Sequence, residues 1–429
     1  MAPGGKTASR AQSLVGGSIG NLVEWYDFYV YSAFSLYFAA SFFPKGDTTA
    51  QLLSAAAVFA VGFLMRPFGG WWLGVYADRH GRKAALSLSV LLMAGGSLLV
   101  AVCPPYASIG IAAPVILVIA RLGQGLSVGG EYGASATYMS EMSRPGNRGF
   151  VASFQYVTLI AGQLVALGVL LILQRTMSEA DLTEWGWRIP FFIGSLGAIV
   201  ALWLRRSIAE THAFEASSDP TRGRWSRLWE HRGSALLVVG LGAGGSLAFY
   251  TFTTYMQKFL VNTAGWTKPD ASLVSAGTLL VFMCIQPAFG ALSDRFGRRP
   301  QLIAFGALGV VGTVPVLTAL SSVQSQLEGF ALILAALTVL SCYTAISGVV
   351  KAELFPASVR ALGVGLPYAV SVSLFGGTAE YVALAFKAAG NESGFFWYVT
   401  AMLSVSLTVA LVLPDTRDRS LIEAGPGDN

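Results

Sequence analysis

G-V-Y-A-D-R-H-G-R-K, residues 74–83, returns 216 residues later as G-A-L-S-D-R-F-G-R-R, residues 290–299. Each copy is a glycine, three residues, Asp-Arg, one residue, a glycine and two basic residues. The first holds Gly74, Asp78, Arg79, His80, Gly81 and Arg82, the second Gly290, Asp294, Arg295, Gly297 and Arg298. A further pair repeats nearly in register: Glu141 stands seven residues before Arg148, and Glu353 seven before Arg360. Chance supplies one short match readily, but not two at corresponding places. The pattern predicts a duplicated unit of about half the chain.

Long apolar runs flank both copies. Of 429 residues, 54% are hydrophobic and only 12% charged, and the mean hydropathy is +0.60. A soluble domain is about 25% charged, so disorder, coiled coil and nucleic-acid binding are excluded for want of charge. A helix crosses the hydrocarbon core with about 20 apolar residues. Twelve such runs lie near 15–43, 52–77, 84–103, 111–138, 150–174, 187–205, 234–259, 271–293, 301–320, 329–350, 361–386 and 394–413. The expected fold is therefore all-α and integral to the membrane, with twelve helices in two six-helix halves. Six is even, so the halves run parallel about an axis along the membrane normal. The expected divisions are 1–205, a central loop 206–233, 234–414 and a tail 415–429.

The basic residues select the side. Of 28 Lys and Arg, 20 fall at the termini or in the loops after spans two, four, six, eight and ten, Lys351 among them, and six on the other side. The positive-inside rule places both termini and the central loop in the cytoplasm. The net charge of +5 is then a topology signal rather than a nucleic-acid surface. Within the repeated turns the glycines allow tight turning and close helix approach. The Asp is placed to accept hydrogen bonds from a neighbouring helix N-terminus. The arginines can reach Glu141 or Glu353, so that these groups, with Arg148 and Arg360, form a latch on the inner face. His80 reads as a surface residue of the turn.

Other chemistries find no support. Cys103, Cys284 and Cys342 are far apart, and the three histidines lie in polar connections, so neither a metal site nor a disulfide framework is expected. Gly5-Lys6-Thr7 lacks the upstream glycine and strand of a phosphate loop, so no nucleotide or cofactor is expected. Gly306, Gly309 and Gly312 lie in an apolar helix and read as packing. The N-terminal apolar run is too long for a cleavable signal. No nucleophile and base stand together, so the chain does not read as an enzyme.

Several ionisable residues fall inside the spans, where each costs roughly 2.5–3.5 kcal/mol and marks a functional site. At 1.5 Å rise per residue, Arg66 lies about 18 Å above Asp78, Asp27 about 22–25 Å up the first span, and Arg121 about 15 Å down the fourth. All are near the middle third. Glu24 is one turn from Asp27 and on the same face, and Glu131 lies ten residues beyond Arg121. A guanidinium suits carboxylate recognition because its planar fork donates two parallel hydrogen bonds and keeps its charge. A neighbouring carboxylate suits proton coupling, because its protonation follows what stands beside it. Arg66 and Arg121 are thus candidate substrate ligands, and Asp27, Glu24 and Glu131 candidate proton carriers. In span seven, Tyr250 and Thr254 share a helical face with Gln257 one turn on. Lys258, about 36 Å from the start of its run, is placed at the outer mouth, attracting anions or reaching to the interface. Gln155 and Arg188 complete the candidates, Arg188 as an external steering charge or a loop ion pair. Gln163, Tyr343 and Glu380 are weaker.

The Gly74–Lys83 and Gly290–Arg299 turns resemble the signature of the major facilitator superfamily. Gly20-Asn21, Glu24-Trp25-Tyr26-Asp27-Phe28, Arg66-Pro67, Arg121 with Gln124-Gly125, and Gly129-Gly130-Glu131 resemble its metabolite:proton symporter family, as do the stretches Ser127–Glu141, Ser153–Leu159, Glu184–Pro190, Phe249–Lys258 and Lys351–Gly365. The resemblance implies a bacterial inner-membrane transporter carrying small organic acids or zwitterions with protons, working as a monomer. Among such substrates are oxo-dicarboxylates such as α-ketoglutarate and β-ketoadipate, citrate, shikimate and osmolytes. In that picture the first-span acid and fourth-span arginine are Asp27 and Arg121. Two central arginines favour a dicarboxylate over a zwitterion. A dianion entering a cell negative inside works against about 4.6 kcal/mol per 100 mV, which cotransported protons offset. A sodium symporter on the same scaffold is the ionic alternative. A non-transporting receptor, the alternative of another class, would need a signalling domain or long tail beyond the last run.

Overall fold

The structure is a computed structural model that describes residues 10–44, 46–80, 82–129, 131–206, 225–356, 359–417 and 420–422. It is helical throughout, with no strand among the described residues. Twelve long helical units follow the twelve apolar runs. In chain order α1 is Arg10–Phe42, α2 is Thr48–Leu64 continued by Arg66–His80, and α3 is Arg82–Val102. α4 is Ala112–Val128 continued by Glu131–Met142, α5 is Arg148–Thr176 and α6 is Ile189–Arg206. α7 comprises Arg232–Phe249, Tyr250–Tyr255 and Met256–Asn262; α8 is Lys268–Phe296 and α9 Arg298–Ser322. α10 is Gln326–Thr344 with Ser347–Glu353, α11 spans Arg360–Ser371, Val372–Gly376 and Ala379–Ala388, and α12 is Glu392–Val412.

Apolar content makes these segments helices in lipid, where every backbone group must be bonded within its own segment. Eight are long and apolar enough to cross a bilayer, and two shorter apolar helices, Ser87–Val102 and Ala112–Val128, join them among the described residues. Large apolar side chains such as Ile172, Leu280, Leu308 and Leu411 face outwards, a surface suited to lipid. Polar caps start several helices: Asp47 accepts from Ala50 N at 3.2 Å, and Thr267 and Ser325 cap α8 and α10.

The helical interruptions follow the repeat. α4 breaks after Val128 and α10 after Thr344, again 216 residues apart. α7 and α11 differ: each contains a π-helical segment, Tyr250–Tyr255 and Val372–Gly376. The first six helices meet the last six along α5 against α8 and α2 against α11, two contacts that the duplication exchanges, and also where α4 meets α11 and α1 meets α7. The close approach of α5 and α8 needs glycine, since a Cβ on Gly290 would lie 2.5 Å from the Gly149 carbonyl oxygen.

Candidate functional site

Asp27 and Arg121 are both wholly buried, 0% exposed, and meet on the inner side of the first six helices. They do not touch directly. Gln124, three residues after Arg121 on α4 and so on its face, spans them: Arg121 Nη1 donates to Gln124 Oε1 at 2.7 Å, and Gln124 Nε2 donates to Asp27 Oδ2 at 2.9 Å. Nε2 also donates to Ser97 Oγ at 2.8 Å, and Ser97 donates to Asp27 Oδ1. Room for Gln124 comes from Gly96, where a Cβ would sit 2.6 Å from Gln124 Cγ. The link between acid and arginine is thus a relay through a neutral amide.

Arg66 and Arg121 share an aromatic support. The Arg121 guanidinium lies 4.3 Å from the Phe28 ring centre and 4.4 Å from that of Tyr31. The Arg66 guanidinium lies 4.4 Å from Phe28 and 3.9 Å from Phe63. Aromatic faces stabilise a buried guanidinium without using its N–H groups. Nε and Nη2 of both arginines accordingly have no hydrogen-bond partner. Buried donors left unmade are expensive, and a carboxylate is the ligand whose geometry matches the open fork. A cleft opens beside Arg66, lined by Glu24, Trp25, Val128, Gly129, Tyr132, Tyr368 and Ala369. Counting its open mouth, it holds about 340 Å³ of space not filled by protein atoms. Glu24 faces this cleft, while Asp27 lies behind it against Ser97 and Gln124.

The last six helices supply the other wall, with several departures from expectation. Lys258 is not at an outer mouth and does not reach an interface: it is wholly buried, paired with Glu380 of α11, and donates to Ser32 Oγ of α1 at 2.6 Å. A straight count along one helix misses a partner 122 residues away on another. Tyr250, Thr254 and Gln257, on the π-helical turn and just after it, find different partners. Tyr250 packs on Phe63, 5.1 Å between ring centres, within electrostatic reach of Arg66. Thr254 meets Thr253, and Gln257 donates to Ser272 at 2.8 Å. Gln155 faces α10, where a Cβ on Gly348 would lie 2.7 Å from its Oε1. Arg188 is not brought to the cleft. Its Nη1 donates to the Ala101 and Cys103 carbonyls at 2.8 and 2.7 Å, closing the end of α3. Lys351, counted above with the loops, is instead buried within α10 beside Tyr132 and Tyr368.

Around the second signature turn the expected contacts form. Asp294 accepts from Gly149 N and Phe150 N, at 2.8 and 2.9 Å, at the positive N-terminus of α5. Arg298 Nη1 donates to Asp294 at 2.8 Å, and its Nη2 lies 3.6 Å from Glu353. Gly297 takes φ +99°, ψ 164°, a region open essentially to glycine alone. Arg295 stays exposed beside Phe296. Arg148 reaches Ser420 at 3.3 Å, and Arg360 donates to the Phe355 and Leu421 carbonyls, so residues 415–417 and 420–422 fold back over the network. In the first copy, Gly74, Asp78, Arg79 and His80 fall in α2 and Arg82 opens α3. Gly81, and the side chains of Asp78, Arg79, His80 and Arg82, lie outside the described residues, as do those of Glu131 and Glu141.

Sequence reading left Gln124, Ser97, Ser32 and Lys351 without a role. Gln124 was findable from its spacing to Arg121; Ser97 and Ser32 become visible only when α3 and α11 are packed against α1.

Two sets of six membrane helices, meeting around buried cations, define a membrane transporter of the major facilitator type. A family model described as "Sugar (and other) transporter" matches residues 15–214 and 204–426, and the chain belongs to that family of multi-pass transporters; it is not an enzyme. Its sequence is 58% identical to the "Alpha-ketoglutarate permease" of Escherichia coli (strain K12) over 407 residues, 95% of this chain and 94% of that one. It is 32% identical to the "Citrate-proton symporter" of Salmonella typhi, covering 93% and 95%. Among solved structures, the partially occluded inward open conformation of the xylose transporter XylE from E. coli superposes with a TM-score of 0.72 at 19% identity, over 92% of this chain and 95% of that one.

Proposed function

We propose that the protein imports α-ketoglutarate (2-oxoglutarate), or a closely related dicarboxylate, together with protons across the bacterial inner membrane. Its halves, 1–205 and 234–414, rock about a midplane site in alternating access, as a monomer with both termini and the 206–233 loop in the cytoplasm. One observation carries this reading: two buried guanidinium groups have unused N–H donors, and one is joined to a carboxylate through a single amide. The likeness to the permease of E. coli supports the substrate. Arg66 and Arg121 take carboxylate oxygens, Tyr250 borders Arg66, and Asp27 carries the proton, with Glu24 and Glu131 as further candidate carriers. The signature turns, with Asp294 held at α5, latch the cytoplasmic face in one state and release it in the other. Proteoliposomes should accumulate labelled 2-oxoglutarate under an inward proton gradient and not under a sodium gradient. Uptake that follows sodium, or ignores every dicarboxylate in a panel, overturns the proposal. Citrate is the second reading, favoured by the likeness to the citrate-proton symporter; competition by unlabelled acids separates the two.

A further inference from the structure

Lys351 stands on Ser347–Glu353, the last segment of α10, and is wholly buried. No carboxylate is paired with it among the described residues. Its Nζ donates to Ser347 Oγ at 2.6 Å and Tyr132 Oη at 3.2 Å, and lies 4.2, 5.1 and 5.7 Å from the ring centres of Tyr368, Tyr132 and Tyr343. A buried ammonium held only by hydroxyls and aromatic faces is under-compensated; three tyrosines make it tolerable. The cage adjoins the cleft. Tyr132 and Tyr368 stack with ring centres 3.4 Å apart, and both line the cleft that holds Arg66. Tyr132 belongs to the first six helices and Tyr368 to the last, so parting α4 from α11 unstacks them and opens Lys351 to the space facing Arg66.

We propose that Lys351 is the carboxylate anchor of the second half: one carboxylate of the substrate engages the arginines, the other replaces the Tyr132 hydroxyl at Nζ. The proposal rests on the dicarboxylate reading above and deepens it. A dicarboxylate then bridges the halves, whereas a monocarboxylate holds only one.

The test compares a labelled dicarboxylate, 2-oxoglutarate, with its 2-oxo monocarboxylate analogue lacking the distal carboxyl group, in counterflow and as thermal stabilisers of purified protein. Lys351→Met keeps the volume and removes the charge. It should weaken the dicarboxylate by about 10–100-fold, the worth of a charge-assisted hydrogen bond, and leave the weaker monocarboxylate unchanged. Without ligand the variant should melt no lower than the parent, since it loses an unpaired buried charge, and Lys351→Arg should recover part of the discrimination. Equal loss for both ligands, or unaltered discrimination, overturns the anchor while the functional reading stands. Parent protein that neither binds nor transports a dicarboxylate overturns both.

Discussion

Asp27 and Glu380 are both buried carboxylates set near buried cations, one in each six-helix set, yet they are held differently. Glu380 touches Lys258 directly, and that ammonium also donates to Ser32. Asp27 is held by Ser97 and by Gln124, and its cation stands one side chain away. Protonating Glu380 strands a buried ammonium, which is expensive. Protonating Asp27 breaks no direct ion pair, and the amide and the hydroxyl beside it remain bonded to each other. The contrast separates a carboxylate locked in a direct ion pair from one held by neutral groups, as the proposed proton role of Asp27 requires.

The contrast can be broken most directly at Asp27. Asp27→Asn should reduce proton-driven accumulation to background while counterflow persists. Parent uptake should rise as the outside is acidified, and the variant should show no such slope; retained uphill uptake removes Asp27 from coupling. Next comes Glu380→Gln, expected to destabilise the purified protein by about 3–5 kcal/mol because it leaves Lys258 unpaired. Adding Lys258→Met should restore most of that loss, whereas Asp27→Asn should melt within about 1 kcal/mol of the parent. Equal losses at Asp27 and Glu380 would erase the distinction. Arg66→Lys and Arg121→Lys keep the charge but not the fork, and should each raise the half-saturation concentration roughly 10-fold or more with stability little changed. Unaltered affinity would take them out of the site. The smallest effect is at the turn: Gly297→Ala should cost about 1–3 kcal/mol of stability, read as a lowered melting temperature, and an unchanged value would show that the turn yields.

The architecture was legible because lipid imposes one rule on every residue of a span, and twelve apolar runs state it without help from distant neighbours. The duplicated turns set the halves in order, and even the breaks of α4 and α10 keep their spacing. What could not be read is whatever depends on another helix. Lys258 looks peripheral until Glu380 of α11 is laid against it. Lys351 looks like loop charge because it precedes the polar turn at Glu353, although Val349 and Val350 before it continue the buried run. The π-helical segments of α7 and α11 have no marker in composition. Asp27 and Arg121 were legible singly, as charges too deep in apolar runs to be incidental; the amide between them was not.

Gln124 gives the interior a direction. An amide has one accepting end and one donating end, so a guanidinium and an ionised acid can both be satisfied only in the orientation found, oxygen to Arg121 and nitrogen to Asp27. A neutral Asp27 relaxes that demand at one end; an anion seated on Arg121 relaxes it at the other. With the roles proposed for Asp27 and Arg121, proton and solute report to one side chain from opposite sides, and an electrochemical difference is converted into a solute difference without the two ever meeting.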